Sequence, residues 1–162
     1  MYFANHPDQL PDRDKILSLS GLEFMEHVRD GKLPAPPIAR LLNYHVDEVE
    51  PGRVVFRGTP GFDQMNPTGG IHGGWYGTLL DSCMACVVMT KVPRGSVYTT
   101  LEYKVNLTRA IPPDSEILAT GWVDHAGRST GVAHGEIRGA GDGRLYATGS
   151  TTCLIMAVGG IG

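Results

Sequence analysis

The sequence predicts an α+β fold in which a curved antiparallel sheet wraps around a long central helix. Three observations predict it. Residues 72–90 form an apolar run of helical length, and Asp81 is its one carboxylate. Strand patterning occurs on both sides of that run, two segments before it and four after it. Tight turns join most successive strands, so their pairing is antiparallel. Such a sheet needs an apolar cover on one face, and residues 72–90 are the apolar helix available to supply it.

The elements follow in order. Residues 1–15 are polar and proline-containing and read as a loose arm. Ser20-Gly-Leu-Glu23 has the spacing of a capping box and opens a helix to Arg29, closed by Gly31. Pro34-Ala-Pro-Pro37 breaks the chain, and Ile38–Asn43 forms a helical turn or two. Residues 1–43 thus read as an N-terminal arm with short helices, and residues 44–158 as the main domain. Tyr44–Val49 and Arg53–Thr59 flank Glu50-Pro-Gly52 and read as a hairpin. Pro93-Arg-Gly95 closes the central helix. From Val97 to Thr108 apolar and polar residues alternate, which predicts a strand with its odd-numbered face buried. Glu116–Asp124 and Thr130–Arg138 flank the turn His125-Ala-Gly-Arg128, and Arg144–Ile155 follows the hairpin signal Gly141-Asp142-Gly143.

Composition excludes several classes of function. The 162 residues suit one domain with a substantial core, and 41% hydrophobic with 19% charged residues is a globular balance. A net charge of −3 without a basic run argues against nucleic acid as a partner. No apolar run reaches the ~20 residues of a membrane span. Neither is there a cationic segment followed by an apolar one at the start, so no signal peptide is expected. Three cysteines give no disulfide framework, and a cytoplasmic location is expected.

The chemistry-bearing stretch is Asn66-Pro-Thr-Gly-Gly-Ile-His72-Gly73-Gly74, followed by Asp81. A carboxylate in an apolar helix is costly to desolvate unless it is paired or hydrogen-bonded, and Asp is a poor helix former. Function and a structural acceptor role, for example toward Ser82, both remain open on these grounds. Gly73 and Gly74 stand at the helix start, where backbone N–H groups lack intrahelical partners. They are plausible oxyanion donors for acyl chemistry, with Asn66, Gly69 and Gly70 in the loop before them. Asp81 lies eight residues past Gly73, about 12 Å along the helix axis. Both groups act on one carbon only if they come from different copies of the chain, which implies a two-fold homodimer with composite sites. Cys83-Met-Ala-Cys86 lies mid-helix among apolar residues and reads as packing, so no metal is expected.

This stretch resembles the signature of hotdog-fold acyl-CoA thioesterases of the PaaI type, the phenylacetate-pathway branch. Pro36-Pro37-Ile-Ala-Arg-Leu-Leu, Pro51-Gly52-Arg-Val-Val-Phe, Tyr98-Thr99-Thr100-Leu-Glu102-Tyr-Lys-Val-Asn and Thr151-Thr-Cys-Leu extend the resemblance over about residues 35–155. It implies a hotdog fold, dimers that often assemble into tetramers, and hydrolysis of an acyl-CoA without a cofactor. In that reading Asp81 is the nucleophile or general base. Gly73 of the partner subunit polarises the carbonyl, Asn66 orients the carbonyl or water, and His72 holds the loop or contacts substrate. The resemblance places an assisting hydroxyl at Thr99, which alternation turns inward, with Thr100 as the competing position. Gly74 is a further substrate-binding position, and Arg128-Ser129-Thr130 resembles a loop that contacts the CoA nucleotide. Two other readings stay open: a hotdog dehydratase acting on 3-hydroxyacyl thioesters through His72 and Asp81, and a non-catalytic acyl-CoA-binding protein.

Overall fold

A computed structural model describes residues 2–158. Among the described residues four α-helices and six strands follow in the order α1 (Arg13–Leu17), α2 (Gly21–Arg29), α3 (Pro37–Leu41), β1 (Tyr44–Glu50), β2 (Arg53–Gly58), α4 (Gly73–Met89), β3 (Ser96–Leu107), β4 (Ile117–Ala126), β5 (Thr130–Gly139) and β6 (Leu145–Ala157). The strands form one antiparallel sheet in the order β1-β2-β4-β5-β6-β3. Helix α4 packs against β2 to β6, so the sheet curves around it. This is the hotdog arrangement.

The helix sits close to the sheet because three glycines make room for it. Gly121, Gly135 and Gly149 pair across β4, β5 and β6 and form a row under the helix. A Cβ at Gly121 would stand 3.0 Å from the Cys83 carbonyl oxygen, and one at Gly149 3.0 Å from the Met84 Cε. At Gly121 the neighbour is helix backbone, so bulk there would press helix and sheet apart, whereas at Gly149 the tip of Met84 would have to shift. Leu79, Leu80, Cys83, Met84, Val87 and Val88 fill the trough and are fully buried. The Cys83 thiol donates to the Ala119 carbonyl at 3.3 Å, and burial pushes its pKa well above the ordinary value. It is a packing residue, as its mid-helix position suggested.

Residues 2–43 make a second layer over the face of α4 that the sheet leaves open. The N-terminal residues are docked, in contrast to the expected loose arm. Phe3 bridges Ala35, Ala4 is fully buried, and Arg13–Leu17 is helical with Asp12 as its N-cap. Pairing with the backbone at Ala35 satisfies a polar segment that composition alone marks as solvated. The capping box forms as expected: Ser20 accepts from the Glu23 N–H, and Glu23 accepts from the Ser20 N–H at 2.8 Å. Glu23 also pairs with Arg94, just before β3. Trp75 donates its indole N–H to the Leu42 carbonyl at 2.8 Å, joining the start of α4 to the end of this layer.

Strand β3 departs from the expected alternation. Thr100 pairs with Cys153 and Glu102 with Thr152, so Leu101 is an extra residue, a β-bulge. Before the bulge the even-numbered side chains Tyr98 and Thr100 face the helix. After it the parity switches, and Val105 packs against the core. Strand β3 is also a sheet edge, and Leu101, Tyr103 and Leu107 are exposed on it.

Candidate active site

The loop before α4 is built by its own backbone. Met65 bridges Ile71, and the Asn66 N–H donates to the Gly70 carbonyl at 2.8 Å. The Asn66 side-chain oxygen accepts from the Thr68 N–H at 2.9 Å, the Thr68 hydroxyl at 2.7 Å and the Gly70 N–H at 3.2 Å. Gly69 holds a φ of +82°, which a side chain would disfavour. The His72 N–H is tied to the Gln64 carbonyl at 2.8 Å. Asn66 therefore organises the loop with its oxygen, and its amide nitrogen has no partner among the described residues.

His72 is the N-cap of α4. Its Nδ1 accepts the Gly74 N–H at 2.9 Å. The two helix-start amides expected as equivalent donors thus differ. The Gly74 N–H is occupied by the cap, whereas the Gly73 N–H makes no hydrogen bond among the described residues. Gly73 and Gly74 are both exposed, so the free amide faces outward at the positive end of a 17-residue helix.

Asp81 lies on the stripe of α4 that the sheet leaves uncovered, with Thr78, Ser82, Cys86 and Met89. It is half-buried, in contrast to the deep burial that an apolar helix suggests. Its Oδ1 accepts the Thr100 hydroxyl at 3.0 Å, and its Oδ2 has no hydrogen-bond partner among the described residues. The bulge at Leu101 decides which threonine reaches it. Thr99 is exposed on the opposite face, and Thr100, not Thr99, is the hydroxyl that meets Asp81. Uniform alternation fails here because one inserted residue shifts the phase of the strand.

The remaining expected positions lie elsewhere. Arg128 and Ser129 are exposed at the tip of the β4–β5 hairpin, and Thr130 begins β5. The Ser129 carbonyl accepts the Ile155 N–H at 2.9 Å, and the Gly127 N–H donates to the Thr130 carbonyl at 2.8 Å. Arg128 and His125 are far from Asp81 in sequence, but the pairs Thr100–Cys153, Cys153–Gly131 and Gly131–Ala126 put their hairpin at the same end of the sheet as Thr100, beyond β6. Residues that the sequence reading missed include Tyr44, whose hydroxyl is 2.9 Å from that of Ser82, the residue after Asp81. Tyr98 is another, one inward position before Thr100. Burial raises the pKa of both phenols, so they stay neutral near pH 7.

Residues 68–146 match the family model described as Thioesterase superfamily. No curated protein matches the chain. Among solved structures, it is similar to a hypothetical thioesterase from Streptococcus pneumoniae TIGR4 crystallised with coenzyme A. The two share 26% identity at a TM-score of 0.66, over 75% of this chain and 91% of that one. Zebra fish thioesterase superfamily member 2 is similar at 25% identity and a TM-score of 0.70, over 85% and 99% of the two chains. A mutant of the phenylacetic acid degradation protein PaaI from Thermus thermophilus shares the fold at 24% identity and a TM-score of 0.66, over 73% and 97%. Over residues 68–146 the chain carries the thioesterase superfamily pattern, and the solved structures it resembles share its hotdog fold. It is an enzyme of the hydrolase class, acting on thioesters.

Proposed function

We propose that the chain is an acyl-CoA thioesterase of the PaaI type, working as a homodimer with composite sites. The observation that carries this reading is the pairing of Thr100 with Asp81, which fixes one carboxylate oxygen and leaves Oδ2 free. Oδ2 attacks the thioester carbonyl carbon, expels the CoA thiolate and forms a mixed anhydride, which water hydrolyses to the free acid. In the general-base variant Oδ2 takes the proton from the attacking water instead. Either route places negative charge on the carbonyl oxygen, and the free N–H of Gly73 of the partner subunit is suited to receive it. Thr100 takes the positioning role expected for Thr99. Asn66 offers its amide nitrogen to the carbonyl or water, and His72 keeps the loop in shape through Gly74.

Dimer formation through β3 is supported by its unpaired edge and its exposed Leu101, Tyr103 and Leu107. Further assembly into a tetramer is part of the same proposal. The CoA moiety is assigned to the Arg128–Thr130 hairpin, where a guanidinium suits phosphate. The coenzyme A on the Streptococcus pneumoniae relative supports that class of ligand. Residues 44–158 are taken as the catalytic domain and the N-terminal layer as its accessory. Among the described residues no helix is long and apolar enough to cross a membrane. Cys83, Cys86 and Cys153 are free thiols, which fits a reducing, cytoplasmic setting.

Thiol release from a panel of acyl-CoAs tests the reading. The wild type is expected to hydrolyse at least one member and Asp81→Asn to lose that turnover while keeping its fold. Near wild-type turnover in Asp81→Asn sinks the assigned role. Formation of an enoyl product from a 3-hydroxyacyl-CoA, with loss of water and no thiol release, points to the dehydratase instead.

A further inference from the structure

The uncovered stripe of α4 continues past Asp81 through Ser82, Cys86 and Met89. The N-terminal layer roofs this stripe and leaves a cavity of about 360 Å³ beneath it. Its walls include Phe24 and Val28 of α2, Ala39 of α3, Tyr44 of β1, Cys86 of α4 and Tyr98 of β3. Among the described residues no carboxylate, lysine or arginine lines it. Burial pushes the Cys86 thiol up to about 12 and raises the Tyr44 phenol, so neither group ionises near neutral pH. Asp81 and Thr100 do not line the cavity themselves, but two of its lining residues stand next to them. Ser82 follows Asp81 in the helix, and Tyr98 precedes Thr100 on the inward face of β3.

A second apolar cavity of about 320 Å³ lies next to the first, reaching Leu19, Val92 and Val97. Ile16, Phe24, Met89 and Tyr98 line both cavities and form the partition between them. The partition sets a length limit for anything that enters beside Asp81. The first cavity is at the small end of ligand pockets, of a size for a compact group and not a full-length lipid chain.

We propose that the cavity under the N-terminal layer holds the acyl group of the substrate, an uncharged medium-length or arylalkyl chain, and that the Phe24 partition sets its upper length. The proposal rests on the thioesterase reading, which places the thioester carbonyl at Asp81. Most of the residues that set specificity then lie in 10–46, outside the matched segment 68–146, with Ser82, Cys86, Met89 and Tyr98 inside it. The thioester carbonyl stays at the Thr100–Asp81 pair while the chain runs along α4 toward Cys86 and Met89.

Two measurements test it independently of each other. Calorimetric binding of non-hydrolysable S-alkyl-CoA thioethers, from ethyl to hexadecyl, reads the cavity without turnover. Each methylene buried should tighten binding by roughly fourfold until the partition is reached. Octyl-CoA, six methylenes longer than ethyl-CoA, is expected to bind about 10³-fold tighter, with a plateau or decline beyond that length. In Phe24→Ala the two cavities join and the optimum moves to longer chains. In Ala39→Phe the first cavity is filled, and the octyl-to-ethyl ratio falls by about tenfold or more. Thiol release from acetyl-, octanoyl-, phenylacetyl- and palmitoyl-CoA should follow the same shifts in kcat/KM. Phe24→Ala removes atoms only, so it carries the test where Ala39→Phe does not fold.

Affinity independent of alkyl length, or length profiles identical in wild type and folded Phe24→Ala, overturns the acyl-cavity proposal even if hydrolysis is robust. Length-dependent binding that shifts in Phe24→Ala, without thiol release from any acyl-CoA, upholds the cavity and overturns the thioesterase reading. The two failures are therefore distinguishable.

Discussion

The start of α4 and the turn around Asp81 are two parts of one helix that are held in place by different means. At the start, Asn66, Thr68, Gly70, His72 and Gly74 bond to one another across at most four residues of sequence. Two turns on, Asp81 is held by Thr100, 19 residues away on another element. The first arrangement is a rigid donor site that depends on local backbone geometry. The second depends on where β3 lies, and so on the packing of the whole sheet. In the proposed mechanism the oxyanion donor is preorganised by the loop and the nucleophile by the sheet.

The largest expected effect comes from removing the charge on the sheet-held side. Asp81→Asn keeps the shape and a group to accept the Thr100 hydroxyl, and it should lower kcat by about 10²–10⁴-fold. On the loop-held side, Gly73→Pro deletes one N–H and little else. Proline is favoured at the first position of a helix. His72 already has φ −61° and ψ 134°, which the residue before a proline tolerates. Among the described residues a new Cβ would press only the flexible tip of Leu107, at 3.3 Å. Loss of this donor should lower kcat by about 10²–10³-fold with the fold retained.

Mixing the two dead variants shows whether the two regions act within one chain or across two. Unfolding and refolding them together should restore about a quarter of wild-type activity, since half the dimers are mixed and one of their two sites is intact. No recovery from verified mixed dimers would place both groups in one protomer, against the 12 Å spacing expected along the helix axis.

A smaller effect separates the two threonines. Thr100→Val should reduce kcat by about ten- to hundredfold, the worth of a hydrogen bond to a charged group. Thr99→Val, on the exposed face, should change it by less than about threefold. Equal effects would break the distinction between the two faces of β3. This pair also marks the boundary of what the sequence makes legible. The glycine-rich loop, the helix, the capping box and Asp81 carry local signals, and strand ends lie within two residues of the expected ones. The bulge at Leu101 has no such signal, because it arises from register with Cys153 and Thr152 on β6. The glycine row across β4, β5 and β6 was hidden for the same reason: Gly121, Gly135 and Gly149 are neighbours only once the strands pair. The docking of residues 2–15 depends likewise on contacts with Ala35.

The smallest effect concerns how the N-terminal layer holds β3, and thus the remote tether of Asp81. Glu23 of α2 accepts from the Ser20 backbone and pairs with Arg94, two residues before β3 begins. The hydrogen bonds from Arg94, first, and then those from Ser20 lower its pKa from 4.5 to about 2. A carboxylate whose folded pKa is depressed stabilises the fold fully above its unfolded pKa and loses that contribution as pH falls through the folded one. The window is therefore from 4.5 down to about 2. Glu23 is open to solvent, so the contribution is modest and screened by salt. Thermal melts of the wild type and Glu23→Gln should differ most above the window, converge as the pH drops through it, and differ less at high ionic strength. A gap that persists unchanged to the acid end would mean that the carboxylate's charge does not hold α2 to the start of β3. The hold of the N-terminal layer on the start of β3 would then rest on backbone bonds such as that from the Gly95 N–H to the Leu17 carbonyl at 3.0 Å.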